Sequence, residues 1–353
     1  MVPAALRKHG YWLLVVLPLL LPASYLLRDV SFLTAWFSWI PVVILYGILP
    51  VLDHLMGRDV HNAEPGRSGP AFYPDVLVPV LVAAVYVPVL AWSLWLAGRS
   101  AGQWPALTLV GWVLSLGEIG GIAAINTAHE LIHRRARWQR ALGGLLLSCV
   151  MYPGFKLEHP RWHHAKVATP MDPSSADRGT TVYGQVPRAM ALNTVHAWRL
   201  AVEAARTRGR AVPWLAHEMT GWWLLTLGLA GLAWMLAGAL GLWVFLAQSL
   251  VAISLLEVIN YIEHYGLRRR EIGEGRYEPP GVQHSWNADF WLSNAILIQL
   301  QRHPDHHVHP TRPFTQLQTV PEAPQLPFGY ATLSLVAMVP PLWRRLMDPR
   351  LPA

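Results

Sequence analysis

Sixteen histidines occur in the 353-residue chain, and nine of them fall into four tight groups. His129 and His133 stand four apart, a spacing that puts both imidazoles on one face of a helix. His159, His163 and His164 form a second group: one histidine, a turn's length, then a pair. His264 stands alone, and His303, His306 and His307 repeat the one-then-pair arrangement. His9, His54, His61, His196 and His217 are scattered and read as interfacial or capping residues. Nine clustered imidazoles without a cation would leave many polar atoms seeking partners. Neutral imidazole suits iron, copper, nickel or zinc. Three or four ligands saturate a zinc ion, so nine imply two metal ions.

The elements that position these groups are apolar. Only 14% of the residues are charged, against about 25% in a typical soluble domain, and 53% are hydrophobic with mean hydropathy +0.29. Runs free of Asp, Glu, Lys and Arg predict an all-α, polytopic membrane protein with six transmembrane helices. The expected spans are residues 11–27, 30–52, 76–98, 104–128, 219–238 and 241–261, the last two arising if the chain turns near Gly238–Gly241. The first run, preceded by Arg7 and Lys8, lacks a small-x-small cleavage site and reads as a retained helix rather than a signal peptide. Residues 141–152 are too few to span and read as interfacial. With six passes, all of the 28 Lys and Arg except Arg28 and Arg99 lie on one side, so both termini are expected in the cytoplasm. A histidine-rich cytoplasmic cap, 134–218 and 264–353, is expected to complete a single domain over 1–353, with helical pieces at 189–206 and 289–301. The stretches Glu64–Pro70 and Glu278–Gly281 read as loops.

Placement narrows the chemistry. His129 ends the fourth predicted helix and His264 the sixth, and the other groups lie in the loops just below. Ligands beneath an apolar bundle point to a lipid or hydrocarbon substrate. Water attack by zinc gains nothing on a C–H bond, whereas iron can activate O2. That reaction consumes two electrons, yet the chain has no Gly-rich dinucleotide motif, no haem signature and one cysteine, Cys149. Electrons are therefore expected from a separate protein at the basic cytoplasmic face. The net charge of +7 reads as membrane topology and not as nucleic-acid binding. Ligating histidines need partners for their second ring nitrogen. Glu118, Glu257, Glu263, Asp172, Asp305 and His284 are the candidates, with Glu118 and Glu257 set inside apolar helices.

At these residues the chain resembles the integral-membrane alkane 1-monooxygenases, a branch of the histidine-rich membrane fatty-acid desaturase/hydroxylase superfamily. The matching segments are Asn126–His133, Glu158–His164, Val167–Pro173, Asn260–Leu267, His284–Asn287, Leu300–His307, Pro324–Ala331 and Pro341–Asp348. The resemblance runs from about residue 10 to the end. It implies a non-haem di-iron centre held by His129, His133, His159, His163, His164, His264, His303, His306 and His307. It also implies oxygen insertion from O2 into the terminal methyl of an n-alkane, giving a 1-alkanol in a bacterial inner membrane. Electrons would come from rubredoxin, reduced in turn by a rubredoxin reductase. Pro160 and Trp162 replace the more usual Asn and Gly of the second motif, and Pro304 replaces Ser in the last. His309 stands where Asn is frequent and reads as a surface or supporting residue. Leu45, before Tyr46-Gly47, replaces a Trp found in some relatives in the helix that gauges chain length, which predicts a deeper substrate tunnel. The rivals are a membrane fatty-acyl desaturase or other lipid hydroxylase, an intramembrane zinc protease built on His129-Glu130-xx-His133, and a metal-ion transporter.

Overall fold

The computed structural model describes residues 3–63, 74–215 and 217–352, so the predicted loop Glu64–Pro70 lies outside the described residues. Four helices are long and apolar enough to cross a membrane. A shorter apolar helix, α1 (Trp12–Leu26), precedes them. The long ones are α2 (Phe37–Met56), α3 (Leu77–Arg99), α4 (Ala106–Ile132) and α8 (Glu218–His264). Between α4 and α8 come α5 (Arg137–Ser148), the helical stretch α6 over 155–166, and α7 (Val182–Thr207). The cap ends in α9 (Trp291–Ile296), α10 (His303–Val308), α11 (Tyr330–Ala337) and α12 (Pro340–Met347). A two-stranded antiparallel ribbon, β1 (Glu271–Gly273) with β2 (Arg276–Tyr277), interrupts the otherwise helical chain expected from sequence.

Helix α8 is two helices in one. Gly238 has φ 61° and ψ −157°, a conformation only glycine adopts readily. A Cβ placed on Gly241 would lie 2.6 Å from the carbonyl oxygen of Ala233. Eight residues of straight helix would hold those positions about 12 Å apart. The chain therefore reverses at Gly238, where the sequence placed the turn.

Helix α2 departs from expectation at both ends. It begins at Phe37, not Val30, because 30–36 forms turns in which the Thr34 hydroxyl bonds the Val30 and Ser31 carbonyls (3.4 and 3.3 Å). It runs past Asp53 because that carboxylate is buried and accepts from the Ser293 backbone N–H and hydroxyl (2.9 and 2.6 Å). Helix α4 starts after Pro105, which supplies a fixed φ and no donor at the N-cap. An aromatic cluster of Tyr25, Phe37, Trp92, Trp104 and Trp112 knits α1 to α4. Tyr261, Tyr265, Trp286, Tyr330 and Trp343 pack the foot of α8 against the cap.

Candidate metal centre

Three π-helical segments shape the region where bundle meets cap: Ile44–Ile48 in α2, Gly120–Ile125 in α4 and His159–His163 in α6. Such segments occur mostly as single turns at functional sites. The third has a direct effect on the histidines. In an α-helix His159 and His163 would share a face. Here the His164 N–H bonds the His159 carbonyl, so the residue five along returns to the same side. His159 and His164 consequently face together, and His163 is turned elsewhere.

The nine grouped histidines all converge, as two clusters. His129, His133, His159, His164 and His306 form one, and His163, His264, His303 and His307 the other. Within each, one nitrogen per ring lies within 4.8 Å of all the others. Adjacent nitrogens are close: Nε2 of His164 is 3.1 Å from Nε2 of both His159 and His306. Nε2 of His303 is 3.2 Å from that of His264 and 2.9 Å from that of His307. Two ligands at right angles, each about 2.1 Å from a shared ion, would stand roughly 3.0 Å apart. Nε2 of His129, His133 and His163 is buried with no hydrogen-bond partner. Orphaned nitrogens at ligand spacing fit a metal-binding site.

Electrostatics agree. Burial, reinforced by neighbouring imidazoles, holds His159, His164, His303, His306 and His307 well below the ordinary histidine range, and His133 down to about 3. The rings are therefore neutral at physiological pH, the form that donates a lone pair to a metal. A cluster of imidazolium ions could not persist in this space.

The supporting groups sort themselves by contact. The Nδ1–H of His163 donates to Asp172 Oδ2 (3.1 Å), which also accepts from the Ser175 hydroxyl (2.6 Å). Burial alone would raise Asp172, but its interactions with His163 and the Ser175 hydroxyl hold it below the usual carboxylate range. Glu263 Oε2 lies 3.3 Å from His303 Nε2, while its Oε1 accepts from the Tyr330 hydroxyl (2.9 Å). His264 donates from Nδ1 to the backbone carbonyl of His284 (3.3 Å), so His284 acts through its main chain; its ring pairs with Glu278. The remaining three candidates touch none of the nine rings. Glu118 accepts from the Tyr46 hydroxyl (2.6 Å). Glu257 accepts from Tyr152, Asn193 and Asn260. Asp305 binds Arg312, His309 and the Gln318 N–H. His309 is half exposed and no part of either cluster. Tyr330 had no local signal in the sequence, since its partner lies 67 residues away.

Helix α10 is pinned from outside. The buried Arg302 guanidinium donates to the carbonyls of Leu317, Asp59 and His61 (2.7–3.0 Å). The turn before it puts Ile298 and Gln299 at φ 46° and 63°, a strain of about 1–3 kcal/mol each. Ile298 burial and a Gln299 side-chain bond to Tyr11 (2.9 Å) hold that turn.

An apolar pocket of about 840 Å³, its mouth included, leads to the clusters. Leu45, Leu49, Ile122, Leu255, Ile259 and Leu297 form its walls, and His129, His159, His303 and Glu263 stand at its polar end. Members of both clusters thus face one greasy channel.

Comparison with known proteins decides the family. Residues 102–336 match the family model described as fatty acid desaturase. Alkane 1-monooxygenase 1 of Pseudomonas aeruginosa is 42% identical, over 99% of this chain and 92% of its own length. Alkane 1-monooxygenase 2 of Alcanivorax borkumensis is 39% identical, over 99% and 92%. The chain belongs to the alkane 1-monooxygenase family. A more distant relative is the hydroxylase component of a xylene/toluene monooxygenase from Pseudomonas putida, 28% identical over 95% of this chain and 81% of its own length. The chain is accordingly an integral-membrane, metal-binding monooxygenase, within the same superfamily as the desaturases.

Proposed function

We propose that the nine histidines hold two iron ions, one in the five-histidine cluster and one in the four-histidine cluster, and that the enzyme hydroxylates the terminal methyl of an n-alkane. The balance is RH + O2 + 2 electrons + 2 protons, giving ROH and water. Bound iron would supply the activation of O2. The chain's own residues do the rest. The walls lined by Leu45, Ile122 and Leu255 take the alkyl chain, exclude water and leave one carbon end free to reach His129, His159 and His303. Asp172 fixes the ring of His163, and Tyr330 fixes the Glu263 carboxylate at the pocket's polar end. The observation that carries this reading is the apolar pocket ending on members of both clusters.

Six membrane crossings, α1 to α4 and the two arms of α8, place both termini and the cap in the cytoplasm of a bacterial inner membrane, as one domain. The lopsided Lys/Arg distribution supports this orientation. So does the return of both ends of α8 to the cap, where Glu218 contacts Lys156 and His264 joins His163. Rubredoxin with its reductase is the proposed electron source. Leu45 in place of a bulkier residue favours long alkanes.

The test is the purified protein with iron, rubredoxin, rubredoxin reductase, NADH, O2 and a panel of alkanes. Two irons per chain and primary alcohols are expected. An alkene product would make the enzyme a desaturase, and one metal per chain would defeat the two-ion assignment.

A further inference from the structure

Where bundle meets cap lies a basic cleft that shares no lining residue with the apolar pocket. It lies between the end of α4, the start of α5, α6 and the first turn of α8, an open hollow of about 1140 Å³ with its mouth included. Arg134, Arg135, Arg137, Arg140, Lys156 and Arg161 line it, against one carboxylate, Glu218. Glu218 is taken by Lys156, and Arg134 pairs with Glu130. Arg140 turns back to the carbonyls of Arg134 and Arg135. Arg135, Arg137 and Arg161 have no ion-pair partner among the described residues. A neighbouring hollow shares Arg161 and Glu218 and adds Arg208 and Arg210.

The rest of the lining is apolar: Ile132, Ala141, Leu157, Pro160 and Trp222. Gly144 lets the Trp222 ring sit where a Cβ would come within 2.4 Å, so the indole wedges between α5 and α8. Lys156 Nζ lies 5.1 Å from the centre of that ring. On the crossings proposed above, Ile132 ends α4 and Glu218 begins α8, which sets the depth of the cleft. The cleft is therefore at the level where hydrocarbon gives way to headgroups. Trp138, exposed by 50% and set between Arg137 and Arg140 on α5, is placed as interfacial aromatics are.

We propose that this cleft binds the headgroup of an anionic phospholipid, with arginine guanidinium groups on the phosphate and the acyl chains along Ile132, Leu157 and Trp222. Basic pockets between helices on the cytoplasmic side suit such headgroups, and the planar guanidinium fork matches phosphate oxygens. A wholly protein-facing surface would not combine unpaired arginines with acyl-compatible walls at headgroup depth.

The test uses the full-length enzyme in vesicles of equimolar phosphatidylcholine and phosphatidylglycerol, then extracted in neutral detergent. Native mass spectrometry reads the phosphatidylglycerol retained per chain. Arg135→Gln/Arg137→Gln should retain at least about tenfold less than the parent, and Arg161→Gln should show a smaller loss, with bound metal unchanged in both. Arg344→Gln/Arg345→Gln, basic residues elsewhere in the cap, should retain the parental amount. Equal retention by the parent and the cleft variants would overturn the proposal. So would a variant that keeps its lipid but accepts electrons more slowly, which would assign the cleft to an acidic protein donor. Equal thermal stabilisation of the parent by inorganic phosphate in phosphatidylcholine alone would also overturn it. Should the double variant fail to fold, Arg137→Gln alone carries the same test.

Discussion

Asp172→Asn changes one oxygen for an amino group, and the structure shows why that small change must be felt. Asp172 Oδ2 accepts from both His163 Nδ1 and the Ser175 hydroxyl, while Oδ1 accepts from the Ser174 backbone N–H (3.2 Å). An asparagine has two orientations there. With its oxygen toward Ser174, the amino group faces His163 Nδ1, which must then give up its proton and carry it on Nε2 instead. A protonated Nε2 cannot ligate. With its oxygen toward His163, the amino group confronts the Ser174 N–H, and two buried donors oppose each other at a cost of about 1–3 kcal/mol. Either way the four-histidine cluster loses. Removing such a supporting partner typically weakens metal binding about 10–100-fold, or roughly 1.4–2.8 kcal/mol. The assay is chelator titration of the metal-loaded enzyme with metal counted by plasma mass spectrometry. The parent should lose its ions at high chelator, whereas Asp172→Asn should release one ion about 10–100-fold earlier and keep the other in the five-histidine cluster. Simultaneous release of both ions at the parental chelator concentration would refute the reasoning.

Three further outcomes are expected. Leu45→Trp should shorten the pocket, lowering kcat/KM about fourfold for each methylene excluded while sparing short alkanes; an unchanged chain-length profile of alcohol products would count against the pocket assignment. Acid should destabilise the metal-free protein. The buried cap histidines His159, His164, His303, His306 and His307 sit below their unfolded value near 6.5, so their neutral-state stability is complete above that pH. Below it the unfolded chain takes up protons that the folded chain refuses, costing about 1.4 kcal/mol per histidine per pH unit, and thermal unfolding at pH 7.5 and 5.5 should show the loss. Gly329→Ala would put a Cβ 2.2 Å from Asp53 Oδ2 and break the Asp53–Ser293 tie, lowering stability by about 1–3 kcal/mol. Gly221→Ala, with open space around it, should be milder in the same melt.

The gathering of the histidines was legible because i, i+4 spacing and apolar runs are local signals. The reversal at Gly238 was legible for the same reason. Their division into five and four was not, because it depends on the π turn at His159–His163, which spacing alone cannot distinguish from an α turn. Carboxylate roles were half legible. Asp172 and Glu263 meet histidines, but Glu118 is claimed by Tyr46, and Glu257 by Tyr152, Asn193 and Asn260. Those competitors come from other parts of the chain. The late start of α2 came from hydroxyl–carbonyl bonds around Thr34, and the ribbon at 271–277 carried too short a pattern to register.

The π turn makes phase, and not residue type, the quantity that matters in this segment. One surplus residue between His159 and His164 settles which ring serves which pocket, so a change of phase there reaches the ligand assignment directly. Pro160 and Trp162 supply no ligand nitrogen, so their identity does not enter that choice. Restoring ordinary helical phase at unchanged length would bring His163 round to the side of His159 and turn His164 away, sending the two rings to each other's addresses.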